Sequence, residues 1–206
     1  MKITKQKLRY LIKESLGRLV LETLKKPKTL HVFDFDETLA ETDSRVIITR
    51  RGEKGEYLTS SEYREYKKLK SQNLVKPGRE NHRTFKRVKE GTMIQPVYNR
   101  YISLQNLGES IVIITARPVE AEPTITSFLE SNQIINPEIY CTRGSKNKPA
   151  VLTRLLSQNE FEKVSVYEDD INNILMLKNT ALEMGVDFEG FLVVKEEDGT
   201  FSVISV

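Results

Sequence analysis

Two carboxylates two residues apart, Asp34 and Asp36, stand in the segment Leu30-His31-Val32-Phe33-Asp34-Phe35-Asp36-Glu37-Thr38-Leu39. The run from Thr29 to Phe33 before them has the length and composition of a buried parallel strand. Acids at the end of such a strand lie at the carboxyl edge of an α/β sheet, where those folds bind ligands. Neighbouring carboxylates repel each other unless a cation or a shared proton lies between them. A structural segment gains nothing from that cost, so the pair points to a metal-assisted active site. Short acidic patterns also ligate calcium in loops, and the rest of the chain has to separate the two.

Three further segments do so. Ile111-Val112-Ile113-Ile114 is a second buried-strand run, and it ends in Thr115-Ala116-Arg117-Pro118. A hydroxyl at a strand end, with the backbone N–H groups of the turn that follows, can hold phosphate oxygens. Gly144-Ser145-Lys146-Asn147-Lys148-Pro149 precedes an amphipathic stretch with Val151, Leu152, Leu155 and Leu156. A lysine at that helix start offsets the charge of phosphate and carboxylates together. Lys146 and Lys148 compete for the role, with Lys148 preferred because it directly precedes Pro149, a good first-turn residue. Val164-Ser165-Val166-Tyr167 alternates like a strand and delivers Glu168-Asp169-Asp170, followed by Asn172 and Asn173. Singly, these features read as a helix cap, a solvated lysine and an acidic helix start favoured by the dipole. Their joint order, each on the element it needs, makes the bland readings improbable together.

In that order the four segments resemble the motifs of the haloacid dehalogenase-like (HAD) phosphohydrolases, with Asp-x-Asp-x-Thr over 34–38 and the resemblance spanning residues 29–185. It implies a three-layer α/β/α sandwich with a mainly parallel central sheet and a small α/β cap inserted after the first motif. The expected core covers 29–44 and 108–206, and the expected cap 45–107. Asp34 is then the nucleophile that forms an aspartyl-phosphate, and Asp36 the general acid that later serves as base. Mg²⁺ is held by Asp34, the Asp36 carbonyl and Asp169. Thr115, Ala116 and Lys148 hold phosphate oxygens, while Glu168, Thr38 and Arg117 support the site and Asp170 is the alternative ligand. An acid at position 36 goes with phosphoester hydrolysis, because an alkoxide leaving group needs a proton. Asn173 departs from the family pattern, which places another acid there in many relatives, and the departure bears on the metal geometry.

The elements that position these residues follow from periodicity. After Pro118 a helix is expected to run to Gln133, burying Ile125, Phe128 and Leu129, and Glu138 to Cys141 reads as the next strand. Ile174, Leu175, Leu177, Leu182 and Met184 line another helix that ends at Gly185, ahead of closing strands over Phe191–Val194 and Phe201–Val206. The insertion breaks this βαβ rhythm. Arg45–Arg50 and Tyr57–Thr59 are β-like, and Thr59-Ser60-Ser61-Glu62 is a capping box opening a helix with Tyr63, Tyr66 and Leu69. Gly91 to Pro96 leads into a further helix ending near Leu107.

A chain of 206 residues buries one substantial core with a smaller accessory unit. Cys141 is the only cysteine, so there is neither an intramolecular disulfide nor a thiolate cluster, and a reducing compartment is the default. His31 and His82 lie far apart and give no support to a histidine metal site or triad. No P-loop lysine pattern is present, which excludes a fused kinase, and no run reaches the length of a membrane span. Residues 1–28 carry nine Lys/Arg against two Glu and read as a basic amphipathic helix, stopped by Pro27 and suited to contact with the body or a partner. Its Met-Lys-Ile-Thr-Lys start resembles those of tailed-bacteriophage proteins, which bears on origin and packaging; the expected location is the cytoplasm, that of the host or else the virion if the chain is phage-encoded.

Residues 49–90 carry thirteen Lys/Arg against six Glu. A positive field beside the site steers polyanions toward it, although such runs also serve as solvated helix faces. The phosphorylated substrate is accordingly either a nucleic-acid end, with a 3′-phosphate preferred, or a small metabolite or nucleotide. A non-catalytic HAD-fold binding or virion-associated protein is the alternative from another class.

Overall fold

The computed structural model describes Lys7 and residues 28–206. The helix expected over 1–28 otherwise lies outside the described residues. β1 spans Thr29–Phe33, and four of its five residues are buried. It sits between two parallel neighbours, β7 (Ser110–Thr115) and β9 (Lys163–Glu168). β8 (Ile139–Cys141) extends the sheet beyond β7, and β10 (Asp187–Lys195) extends it beyond β9, both in parallel. β11 (Phe201–Ser205) pairs antiparallel with β10 and completes a sheet of six strands. The protein is therefore mixed α/β with a mostly parallel central sheet, as the alternation of apolar runs and amphipathic stretches requires.

Strand alternation sends Leu30 and Val32 to one face of the sheet and Phe33 to the other. On the Phe33 side pack α2 (Gln95–Asn106) and α3 (Glu122–Ser131), through Val97, Tyr101, Leu104, Ile125 and Leu129. On the Leu30 side pack α4 (Lys148–Gln158) and α5 (Ile171–Glu183), through Leu152, Leu155, Leu156, Leu177 and Ala181. Leu175, Leu182 and Met184, expected on the buried stripe of this last helix, are exposed instead. The helices change face between β8 and β9, and at the same step the chain crosses from one side of β1 to the other. The connections leaving the carboxyl ends of β1 and β9 therefore diverge, which opens a crevice between those two strands.

Between β1 and α2 the chain leaves the main sheet. β2 (Ala40–Thr42) and β6 (Gly91–Met93) form an antiparallel stem. Gly91 permits the approach, since a Cβ there would lie 2.8 Å from the Glu41 carbonyl oxygen. β3 (Val46–Thr49) is the centre of a three-stranded antiparallel sheet with β4 (Glu56–Leu58) and β5 (Arg79–Asn81). α1 (Ser60–Ser71) opens with the expected Thr59/Glu62 capping box and packs through Tyr66 on Val46, Ile48 and Leu58. Its β3, β4 and α1 follow the sequence reading, whereas β2, β5 and β6 are not among the expected elements and its end differs too. Gln95–Asn106, expected to close the insertion at residue 107, belongs to the body. Its stripe of Val97, Tyr101 and Leu104 is buried against Phe33 and Ile113, so the insertion ends at the stem. Among the described residues no helix is long and apolar enough to cross a membrane.

Candidate functional site

β1 delivers Asp34, whose N–H donates to the Tyr167 carbonyl at 3.0 Å and so continues the β1/β9 ladder by one residue. The chain then turns tightly, with Phe35 O accepting from both Leu39 N and Ala40 N, and Glu37 in the left-handed region at φ 58°. Across this turn Asp36 meets Arg117 in a two-pronged contact, Nε to Oδ2 at 2.8 Å and one terminal nitrogen to Oδ1 at 2.7 Å. Arg117 follows β7 by two residues and is only 2 % exposed. Its guanidinium also donates to the Thr42 and Ser44 hydroxyls at 2.9 and 2.8 Å and faces the Phe85 and Arg87 carbonyls at 3.4 Å. The rings of Phe35 and Phe85 flank it. One side chain thus joins the end of β7, the turn after β1 and the insertion.

Lys148, the first residue of α4, reaches the other side of Asp34. Its ammonium donates to Asp34 Oδ1 at 2.6 Å and to Glu168 Oε1. Burial opposes the charge of this lysine, but the two carboxylates outweigh it and raise its pKa. Lys146 lies exposed on the surface, so of the two competing lysines the fold brings Lys148 to the acids. The Asn173 amide donates to both Glu168 oxygens at 3.2 Å. A carboxylate there would set a third negative charge against the buried Glu168.

Asp34, Glu168 and Asp169 each place an oxygen so that the three lie within 4.8 Å of one another. Burial pushes the Asp34 carboxyl up to about 7, with the Glu168 and Asp36 charges adding to it and Lys148 opposing. Burial likewise pushes Asp169 up to about 7 against the pull of Arg64, and it raises Glu168. Three buried acids face two cations. The residual negative charge and the oxygen-only donor set fit a hard divalent cation. The Asp36 carboxylate stands apart from this trio, held by Arg117. Asp170 is also occupied elsewhere, as the N-cap of α5, where its Oδ1 accepts from Asn172 N at 2.9 Å.

Thr115 closes β7 and is buried, with its hydroxyl accepting the Arg117 N–H at 3.3 Å. Thr38 Oγ1 is buried without a hydrogen-bond partner. Asp34, Asp36, Thr115, Ala116, Arg117, Lys148 and Asp169 line one cavity of about 940 Å³, the insertion forming its other wall. Glu168 is buried and does not line it.

Sequence reasoning missed Arg64. From α1 in the insertion, its guanidinium donates to Asp169 Oδ2 at 2.5 Å and to Glu37 at 3.4 Å, with Asp170 at 3.9 Å. The contact joins residues 105 apart, and an arginine on a basic helix face carries no local sign of such a partner. Compared with protein-family models and with curated proteins, the chain finds no match.

Proposed function

We propose that this protein is an Mg²⁺-dependent phosphohydrolase of the HAD type, a three-layer α/β/α sandwich whose insertion caps the site. The observation that carries this function is the convergence of Asp34, Asp36, Thr115, Lys148 and Asp169 on one cavity. Asp34 attacks phosphorus, and the ester P–O bond breaks as the aspartyl-phosphate forms. Lys148 holds Oδ1 of this carboxylate, and the other oxygen has no donor among the described residues. Asp36 gives its proton to the leaving oxygen, then takes one from the water that displaces Asp34 and releases phosphate. Both oxygens of Asp36 are engaged by Arg117, so one of these bonds yields whenever Asp36 carries the proton. Thr115, Ala116 and Lys148 hold the equatorial phosphate oxygens, where transition-state charge spreads. Asp34 and Asp169, with the Asp36 carbonyl, would hold the ion, which supplies the charge that lets a carboxylate approach a phosphate.

Hydrolysis of p-nitrophenyl phosphate tests this function. Turnover is expected with Mg²⁺, is lost in EDTA and returns when Mg²⁺ is restored. Turnover that survives EDTA overturns the metal role. Failure on aryl phosphates, nucleotides and phosphorylated oligonucleotides alike overturns the activity.

Arg64 occupies the carboxylate that the ion needs, so it competes with the ion. Arg64→Ala is expected to bind Mn²⁺ roughly 3- to 10-fold more tightly in a calorimetric titration, the equivalent of about 1 kcal/mol for a partly buried ion pair. An unchanged affinity would show that Arg64 and the ion do not share Asp169.

A further inference from the structure

We infer that the mouth of the cavity binds the backbone of a single-stranded polynucleotide whose terminal phosphate reaches Asp34, an inference that rests on the proposed phosphatase function for the cavity floor alone. Eight Lys/Arg line the cavity against five Asp/Glu. Three of those acids, Asp34, Asp36 and Asp169, belong to the floor. The other two are already neutralised: Glu80 accepts from Lys70 and from the Tyr63 hydroxyl, and Glu120 faces Arg143 at 3.6 Å and Lys86 at 3.9 Å.

Lys67, Arg79 and Arg83 remain. They come from α1, from β5 and from the turn after β5, and all three are exposed on the cavity wall. Among the described residues none of them has a carboxylate within ion-pair distance. Like charges gathered on a concave surface repel one another, and phosphates spaced along a strand relieve that repulsion while releasing counterions. Tyr63 and His82 also line the mouth, their rings edge to face with centroids 5.2 Å apart; Tyr63 already has Lys67 over its ring and Tyr66 stacked beside it, so the exposed His82 ring is the aromatic face offered to a base, and such stacking ignores sequence.

A small phosphorylated metabolite would engage the floor and leave these three cations unmatched. The cavity, at about 940 Å³, is also near the upper end for small-molecule sites, ~1,000 Å³. A paired duplex end fits less well, because Asp34 is 8 % exposed at the bottom of the cavity. Its terminal nucleotide would have to unpair and leave the stack first.

The test is fluorescence anisotropy with the full chain carrying Asp34→Asn, using labelled oligothymidylate with a 3′-phosphate, a 5′-phosphate or neither, and a blunt duplex. A phosphorylated single strand is expected to bind best, and the two phosphorylated arms identify the end. Three phosphate contacts predict a roughly 20-fold rise in Kd between 50 and 200 mM salt. The triple variant Lys67→Gln/Arg79→Gln/Arg83→Gln is expected to weaken binding at least 10-fold at 50 mM salt and to flatten the salt dependence. Should it fail to fold, each single variant is expected to lower the salt slope by about 0.7. Binding that ignores salt, that is no tighter than a mononucleotide's, or that survives the substitutions overturns the inference. Wild-type hydrolysis of p-nitrophenyl phosphate without strand binding overturns it while leaving the phosphatase function intact. Salt-dependent strand binding without turnover of any phosphate ester overturns that function and leaves the backbone site standing.

Discussion

Asp34→Asn is expected to abolish phosphate release and, at the same time, to make the metal-free protein harder to unfold at pH 8. Loss of a nucleophile that forms a covalent intermediate lowers kcat on the order of 10⁴-fold or more. The stability gain follows from burial. In the folded chain Asp34 keeps its proton up to about 7, against 3.8 for the ordinary side chain. Folding therefore favours the protonated carboxyl, and the stability linked to this group is present at low pH and is lost as pH rises through 7. At pH 8 the charged carboxylate is buried beside Glu168 and Asp169 with only Lys148 and Arg64 to offset the three. A neutral isostere removes the excess. The gain is expected to be on the order of 1–2 kcal/mol, or roughly 3–6 °C in Tm for a chain of this size. It should shrink at pH 5.5, where the wild-type carboxyl already carries its proton. Thermal melts in EDTA at the two pH values check the sign. A variant that melts below the wild type at pH 8 would show that the Lys148 contact outweighs the repulsion.

Arg117→Ala is expected to lower stability by about 3–5 kcal/mol, because it leaves a part-buried carboxylate without its cation. Six acceptors besides the two Asp36 oxygens depend on this guanidinium or lie beside it: the Thr42 and Ser44 hydroxyls, the Phe85 and Arg87 carbonyls and the Phe35 and Phe85 rings. All of them belong to the turn after β1 or to the insertion, so the cost should show as local opening of residues 42–45 and 84–88 in hydrogen exchange. Arg117→Lys keeps the charge but not the planar fork, and it is expected to recover part of the stability while kcat stays about 10²-fold down. The double variant Asp36→Leu/Arg117→Met removes both charges together and is expected to melt above Arg117→Ala. A purely additive double variant would show that the pair is not coupled. Equal protection of the insertion in wild type and Arg117→Ala would disprove its role as the tie between the two units.

Much of the scaffold was legible before any coordinates. The apolar run at 29–33 is β1 to the residue, and the runs ending at Thr115 and Glu168 are β7 and β9. The capping box at Thr59/Glu62 opens α1. Each of these is a short-range property: strand-forming side chains in sequence, or a hydroxyl and a carboxylate three residues apart on one helical turn. The insertion was legible as a break in rhythm, but its end was not. A helix at 95–106 can cover either unit, and only the position of Phe33 and Ile113 decides which of them buries Tyr101.

By itself, then, the sequence determined which strand ends carry acids, a hydroxyl or a lysine, because backbone periodicity and local composition settle where strands stop and helices begin. Tertiary structure alone decided the partners. It set Lys148 rather than Lys146 against Asp34, Arg117 against Asp36 and Arg64 against Asp169, contacts that join residues 114, 81 and 105 apart. Apart from Pro149 beside Lys148, such pairs leave no mark on the segments that make them. They form because parallel pairing lays β7 and β9 on either side of β1, so that distant charges share one buried crevice in which each must find a counterion.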